Sequence, residues 1–495
     1  MKVAVLGSFL IAILHSILFF DQKLGISVFL FCIALGFFFI YILDKNGKIK
    51  NKKALILCIP ILLISATYFI YNNSFFYVAN ILALIILFTL MIVLAVFENI
   101  RLGYFFNRLF YLVIGPIEFF EEAVGSIIDT VSSLFKKQEK SKEKNEKIRK
   151  VIIGIFITIP ILIVVLILLS SADSIFSNEL KEVISTIFSL DIFEKETYVN
   201  FLLRLIFVLT IAVYLIGLLY NILEDNFCEE DIIEKKKWTI DSIVGNTILT
   251  ILNLVYLVFC YIQISVLFMK SGNMQDFEYA SYARQGFFQL MAVSIINLVI
   301  ILITSKRNEI NKKINYTKIM NLFLATFTLI ILVSSFYRMY LYEQEFGYTF
   351  LRLMVYFSLI TEAILIIPTV MYILDFKINL TKTYFVVIII MYIIVNYINI
   401  DNIIAKRNID RYFEDSTGTY KLDMNYLETL SVDATGQIKR LEGINDENII
   451  FQVNNYLTNT KSKVENVTWQ NFNINRIIAR SKIKEYSLQF NALKY

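Results

Sequence analysis

Eleven apolar stretches, each close to the length that carries a helix across a bilayer, occupy most of the first 400 residues. They lie at 3–20, 25–43, 54–71, 76–97, 151–170, 199–222, 243–268, 287–304, 319–342, 351–374 and 384–399. A hydrocarbon core of roughly 30 Å is crossed by about 20 apolar residues in a helix, whose backbone satisfies its own hydrogen bonds where no water can. The pattern therefore predicts an all-α, polytopic transmembrane helix bundle of eleven spans. At 57% hydrophobic and 18% charged, the chain also has more apolar surface than a water-soluble core would take in.

The charges between the spans set an expected orientation. Numbered in order, the even gaps together with the N-terminus hold 26 of the 47 Lys and Arg, and the odd gaps hold 5. The positive-inside rule then places the N-terminus in the cytoplasm and the region after residue 400 outside it. The net charge of +5 belongs to short cytoplasmic loops, where anionic lipid attracts it, so the expected partner is the lipid bilayer and no nucleic acid. Lys2 and the apolar run behind it are followed by Asp21-Gln22-Lys23 with no small-residue cleavage site, which reads as an uncleaved first span. Cys32, Cys58 and Cys260 fall inside spans and Cys228 in a cytoplasmic loop, leaving the exposed tail without a disulfide framework.

One segment decides the parity of everything after it. Residues 99–135 are apolar enough to pass for a further span, but Asn107 and Arg108 would then sit near mid-membrane, at a cost of about 2.5 to 3.5 kcal/mol for the Arg. Beyond Pro116, Ile117, Phe120, Val124, Ile127, Val131 and Leu134 share one helical face, with Glu118, Glu121, Glu122 and Asp129 on the rest. That distribution suits an amphipathic helix lying along the cytoplasmic surface. A second surface helix is expected at 171–198, capped by Asp173. Pro60, Pro160 and Pro368 each fall inside a span, where a missing amide favours a kink.

Three regions follow: 1–150, four spans with the amphipathic helix and a basic linker; 151–399, a seven-span membrane core; and 400–495, an extracytoplasmic helical domain. The last carries thirteen basic and twelve acidic residues, and Ile449, Ile450, Val453, Tyr456 and Leu457 recur at helical spacing. Asp410, Arg411 and Tyr412 are expected to dock it on the bundle.

Several chemistries are excluded outright. No two of the sixteen glycines are closer than seven residues, which forbids a phosphate-cradling loop, a dinucleotide loop and a hydrolase elbow. A single His, His15 in the first span, and no closely spaced Cys leave no metal ligand set, so neither metal nor cofactor is expected. What remains is charge in or just above the spans. Glu362 lies at the middle of the tenth, while Arg204, Arg338 and Arg352 lie near the outer ends of the sixth, ninth and tenth. Arg284 stands in an adjacent outer loop with Asp276 and Glu278, and Glu343 and Glu345 follow the ninth span. If these spans are neighbours, Arg204, Arg284, Arg338 and Arg352 surround an outward cavity with Glu362 at its floor, suited to a phosphate or carboxylate head group. Otherwise each Arg snorkels to the head groups and Glu362 pairs with a neighbour.

Three passages together carry a family resemblance. They are Leu168-Leu169-Ser170-Ser171-Ala172-Asp173 with Phe176, Tyr279-Ala280-Ser281-Tyr282-Ala283-Arg284-Gln285-Gly286-Phe287-Phe288-Gln289-Leu290, and Asn408-Ile409-Asp410-Arg411-Tyr412 ahead of Leu422-Asp423, Tyr426-Leu427 and Asp433-Ala434. In these passages, over roughly 150–495, the chain resembles the bacterial multi-pass membrane proteins catalogued as domain of unknown function forty-one seventy-three and its relative forty-one fifty-three. The resemblance implies a bacterial membrane location and this layout of spans and tail, and carries no activity, cofactor or catalytic residue. Three functions stay open: transport or handling of an anionic or lipid-linked small molecule at the outer face; a sensor or scaffold whose 400–495 domain binds an envelope partner; and a glycosyl transferase or ligase using a lipid-linked donor. An enzyme would need an outer carboxylate base beside the Arg groups.

Overall fold

A computed structural model describes residues 2–97, 110–134, 195–223, 242–268, 287–305, 316–415, 420–444, 446–465 and 467–492. Helices account for the regular structure, with no strand among the described residues. The long ones are α1 (Lys2–Phe19), α2 (Ile26–Lys45), α3 (Cys58–Ala66), α4 (Ser74–Val96), α5 (Phe120–Leu134), α6 (Lys195–Leu223), α7 (Ser242–Phe268), α8 (Phe287–Ser305), α9 (Tyr316–Phe346), α10 (Phe350–Ile373) and α11 (Leu380–Tyr397). After them come α12 (Ile400–Glu414), α13 (Met424–Glu428), α14 (Thr435–Ile438), α15 (Glu447–Glu465) and α16 (Ile474–Ala492). Ten segments are long and apolar enough to cross a membrane, and they coincide with ten of the eleven expected spans. The remaining one, 151–170, lies outside the described residues, as do Pro160, Asp173 and residues 171–194. The protein is a multi-pass integral membrane protein. Leu10, Phe37, Val255 and Ile367 are exposed on their helices, where lipid rather than protein removes them from water.

Helix ends follow local chemistry. Gly47, at φ +65°, closes α2: its amide bonds Asp44 O at 2.9 Å and the Lys48 amide bonds Leu43 O at 2.9 Å. That is the left-handed cap that satisfies final-turn carbonyls. Asp375 does the same for α10 at φ +67°, a conformation Asp tolerates better than most residues. Asn379, Asn399 and Asp423 accept amide bonds at the starts of α11, α12 and α13. The third span is irregular: 3-10 turns Lys52–Leu57 and Thr67–Phe69 flank α3, and Pro60 stands in its first turn, where no amide is required. By contrast, α10 continues as one helix through Pro368.

The chain divides into two compact units, one of Met1–Ile70, Val78–Ile232 and Val467–Asn473, the other of Tyr71–Tyr77, Ile233–Asn466 and Ile474–Tyr495. In the first unit α1 packs on α2 and α6, and α5 packs on α6. The described residues of α5 number 15, about 22 Å of helix. The helix buries Ala123, Val124, Ser126 and Thr130, with Val5, Val213 and Ile216 completing the core. Ile117, expected on the apolar face of the surface helix, precedes α5 in the 3-10 turn Gly115–Ile117 and is exposed. That turn crosses α6 at Gly217, where a Cβ would stand 2.5 Å from Pro116 O. Segment 467–473 caps α2, because the amides of Ile26 and Ser27 donate to Phe472 O and Gln470 O at 3.1 Å each.

In the second unit α9 is the hub, packed against α7, α8 and α10, with α11 on α10. The helices after residue 400 share one core with the span ends. Ile404, Ile409, Leu427, Ile438, Val453 and Leu457 are buried with Phe76 and Val395, and Phe350, Leu353 and Phe357 of α10 pack against them.

Candidate functional site

Along α9, the buried positions include Lys318, Asn321, Thr328, Ser334, Ser335, Arg338 and Glu343, distributed around the helix over the sides that meet α7, α8 and α10. From Lys318 to Glu343 this polar line runs about 38 Å at 1.5 Å per residue, the thickness of a bilayer with part of its head groups. Each neighbour answers it with uncharged polar groups. Asn253 of α7 donates to Met320 O at 2.9 Å, Tyr256 donates to Asn297 Oδ1 at 2.8 Å, and Asn297 donates to Thr328 Oγ1 at 3.1 Å. Farther along, Gln263 Oε1 accepts from Ser334 at 3.0 Å and from Arg338 Nη2 at 2.8 Å. Polar groups in lipid are costly unless bonded, and these bonds hold α7, α8 and α9 in register.

Arg338 is 6% exposed and Glu362 4%. Arg338 lies eight residues from the end of α9 and Glu362 twelve from the start of α10, depths of about 12 and 18 Å. Glu362 accordingly sits about 6 Å deeper, since three residues join these two packed helices. Ser294 of α8 bonds Glu362 Oε2, and Ser358 bonds Oε1 at 3.4 Å. No described Lys or Arg pairs with it. Leu298, Leu332, Leu359 and Leu365 are buried in the same three-helix interface.

The ends of this line are closed by charge. At one end Lys318, buried, pairs with half-exposed Asp375. At the other, Arg352 donates to Phe346 O at 2.9 Å and to Gly347 O while stacking on Tyr342 at 4.3 Å. Arg411 of α12 donates to Glu343 O at 3.2 Å and to Gln344 O, with Tyr420 beneath it at 4.5 Å. Cations at the C-terminal end of α9 meet the negative end of its dipole. Buried Glu343 accepts from Tyr356 at 2.9 Å. Burial, aided by the bond to Glu343, pushes the Tyr348 hydroxyl up to about 12. Asn408 clasps both backbone groups of Tyr348, each at 2.8 Å.

The expected site residues thus separate. Arg338 meets α7 through Gln263, Glu362 lies in the α8–α9–α10 interior, and Arg352 is committed to the carbonyls that end α9. Arg204 belongs to the first unit, where it lies over Phe20 at 4.8 Å. Arg284, with Asp276 and Glu278, falls outside the described residues. Of the docking group, Arg411 joins α12 to α9 and Asp410 pairs with Arg440 at 2.7 Å. His15 lies among Phe19, Phe31 and Phe207 at 4.7 to 5.2 Å, and its Nδ1 has no hydrogen-bond partner among the described residues, so packing rather than bonding holds it.

A second polar cluster escaped the sequence reading. Asp433, 9% exposed, accepts from the Asn72 amide at 2.8 Å and the Asn72 side chain at 3.0 Å. Asp401, 4% exposed, accepts from Asn73 at 2.9 Å and from the Ser431 amide at 3.2 Å. Arg476 bonds Asn72 Oδ1 at 2.7 Å, and Tyr456 donates to Ser431 O at 2.6 Å. Burial raises the Asp433 carboxyl, its bonds to Asn72 oppose this, and nearby Asp401 adds to the rise. The adjacent Asn72-Asn73 pair opposite two Asp residues was the only signal in the sequence, and more than 320 residues separate the partners.

A family model described as "Domain of unknown function (DUF4153)" matches residues 58–441. This is the second of the two families the motifs resemble; the naming as forty-one seventy-three is not confirmed. The match begins in the third span, well before residue 150, and ends ahead of α15. No curated protein and no solved structure matches. With most of its length covered, the chain belongs to the DUF4153 family of unknown function.

Proposed function

We propose that this protein moves or holds a small anionic molecule, free or lipid-linked, along the buried polar side chains of α9 from the extracytoplasmic face, with Arg338, on the α7 side, as its main contact. The observation that carries the reading is the buried polar line on α9, which keeps a guanidinium about 12 Å below the helix end. A charge at that depth is expensive and is retained where it has a task. The planar fork of Arg matches a phosphate or carboxylate, and Gln263 holds it from one side while accepting from Ser334 as well. The loop-charge asymmetry supports an N-terminus in the cytoplasm, which sets the Arg338 end of α9 outward.

A partner-binding role is favoured by one feature: Ile450, Phe451, Ile477 and Ile478 are exposed on α15 and α16, outside the spans. The enzyme reading loses support, because Glu343 is buried and bonded to Tyr356.

The test uses purified protein in nanodiscs with dodecyl phosphate, inorganic phosphate and a neutral dodecyl glycoside as probes. An anion held at 100 times its dissociation constant stabilises by about 2.7 kcal/mol, so a clear rise in melting temperature is expected. The rise should vanish in Arg338→Gln. Equal shifts in both proteins, or a shift with the neutral glycoside alone, contradict the reading.

A further inference from the structure

The Ser294 hydroxyl has a single hydrogen and two oxygens within its reach. Ser294 Oγ lies 2.7 Å from Met291 O and also contacts Glu362 Oε2. A hydroxyl has one hydrogen, and a backbone carbonyl only accepts. With the Ser294 hydrogen on Met291 O, the hydrogen shared with Glu362 belongs to the carboxyl group. Oε1 then accepts from Ser358, and every polar atom of a neutral carboxylic acid has its complement. An ionised Glu362 would take the Ser294 hydrogen from Met291 and stand as a bare charge with hydroxyl partners alone, which a membrane interior penalises.

Among the described residues, no neighbouring element supplies a compensating charge. Residues 287–305 of α8 contain no titratable side chain. On α9, Lys318 is paired with Asp375, Arg338 is bonded to Gln263, and Glu343 to Tyr356. On α11, Lys382 stands in the first turn. Where α12 meets α10, Arg411 is bonded to carbonyls of α9. None of these groups contacts Glu362.

We propose that Glu362 is a proton-binding site, loaded at neutral pH and emptied during the working cycle. On release, the Oε2–H bond breaks, its electron pair stays on the carboxylate, and the proton leaves on a water molecule admitted with the solute. Ser294 then turns its hydrogen from Met291 O to Oε2, a hydroxyl rotation that stabilises the carboxylate. The bound proton stands on geometry alone; its coupling to solute movement rests on the anion-handling reading above.

Infrared spectroscopy of the full chain in nanodiscs tests the site without any solute. A carboxylic-acid C=O stretch is expected at pH 7, moving to lower wavenumber in D2O and lost in Glu362→Gln. Ser294→Ala removes one hydrogen-bond partner, so the same band should persist at higher wavenumber, which keeps the test alive if Glu362→Gln fails to fold. Absence of the band at pH 7, a band unchanged in Glu362→Gln, or no response to D2O would overturn the proposal. The probe-binding measurements with Arg338→Gln stand apart, so either reading can fail without the other.

Discussion

Gly347→Ala should loosen the helices after residue 400 from the ends of α9 and α10. Gly347 has φ +74°, and a Cβ there would stand 2.7 Å from Asn408 Oδ1 and 2.8 Å from the Tyr420 hydroxyl. The left-handed backbone costs about 1 to 2 kcal/mol for a residue with a Cβ. Moving Asn408 away breaks its two bonds to Tyr348, each worth about 0.5 to 1.5 kcal/mol. The sum is about 2 to 5 kcal/mol. Hydrogen exchange in nanodiscs reads this directly: amides of α12 should exchange at least roughly thirty times faster, since about 1.4 kcal/mol is tenfold. Gly443→Ala is the control within the same unit, having φ +93° but nothing within 4 Å of the added Cβ, so only the backbone cost applies. Equal acceleration in the two variants, or none in Gly347→Ala, would refute the role given to Asn408.

Asp433 makes a pH prediction whose sign follows from its raised carboxyl. The folded protein holds this proton more tightly than the unfolded chain, so its contribution to stability is full below the ordinary carboxylate range near 4 and is lost as pH rises through the raised value. The melting temperature of wild type should therefore fall over that interval by more than that of Asp433→Asn; parallel profiles would show that burial of Asp433 is not felt. At the Lys318 end of the polar line, Asp375→Asn should destabilise more than Lys318→Met, because it leaves a buried ammonium without its partner while the second change removes the charge. Asn also tolerates the positive φ at 375, so backbone strain does not confuse the comparison, and thermal melting that ranks the two the other way would contradict it.

Ten spans were legible because a run of about 20 apolar residues has few fates, and the helix α5 was legible in the apolar periodicity beyond Pro116. The depth of Glu362 was also readable, since charge inside an apolar run is conspicuous, whereas the sequence placed Arg338 only near the outer end of its span. Their partners were not. Ser294, Gln263 and Ser334 are ordinary polar residues of membrane helices, and only packing shows which charge they face. Arg352 illustrates the reverse case: its position beside a span end suggested a ligand, whereas the bend at Gly347 turns two carbonyls toward it. The Asp433 and Asp401 cluster depends on an Asn pair more than 320 residues earlier, a distance across which no periodicity speaks.

The most direct test is an experimental map of the protein in nanodiscs prepared with dodecyl phosphate. The account predicts head-group density against the Arg338 guanidinium, on the side of α9 that meets α7, absent from Arg338→Gln. Phosphate density confined to the bilayer surface, with Arg338 still bonded to Gln263 and the interior closed by protein, would contradict it.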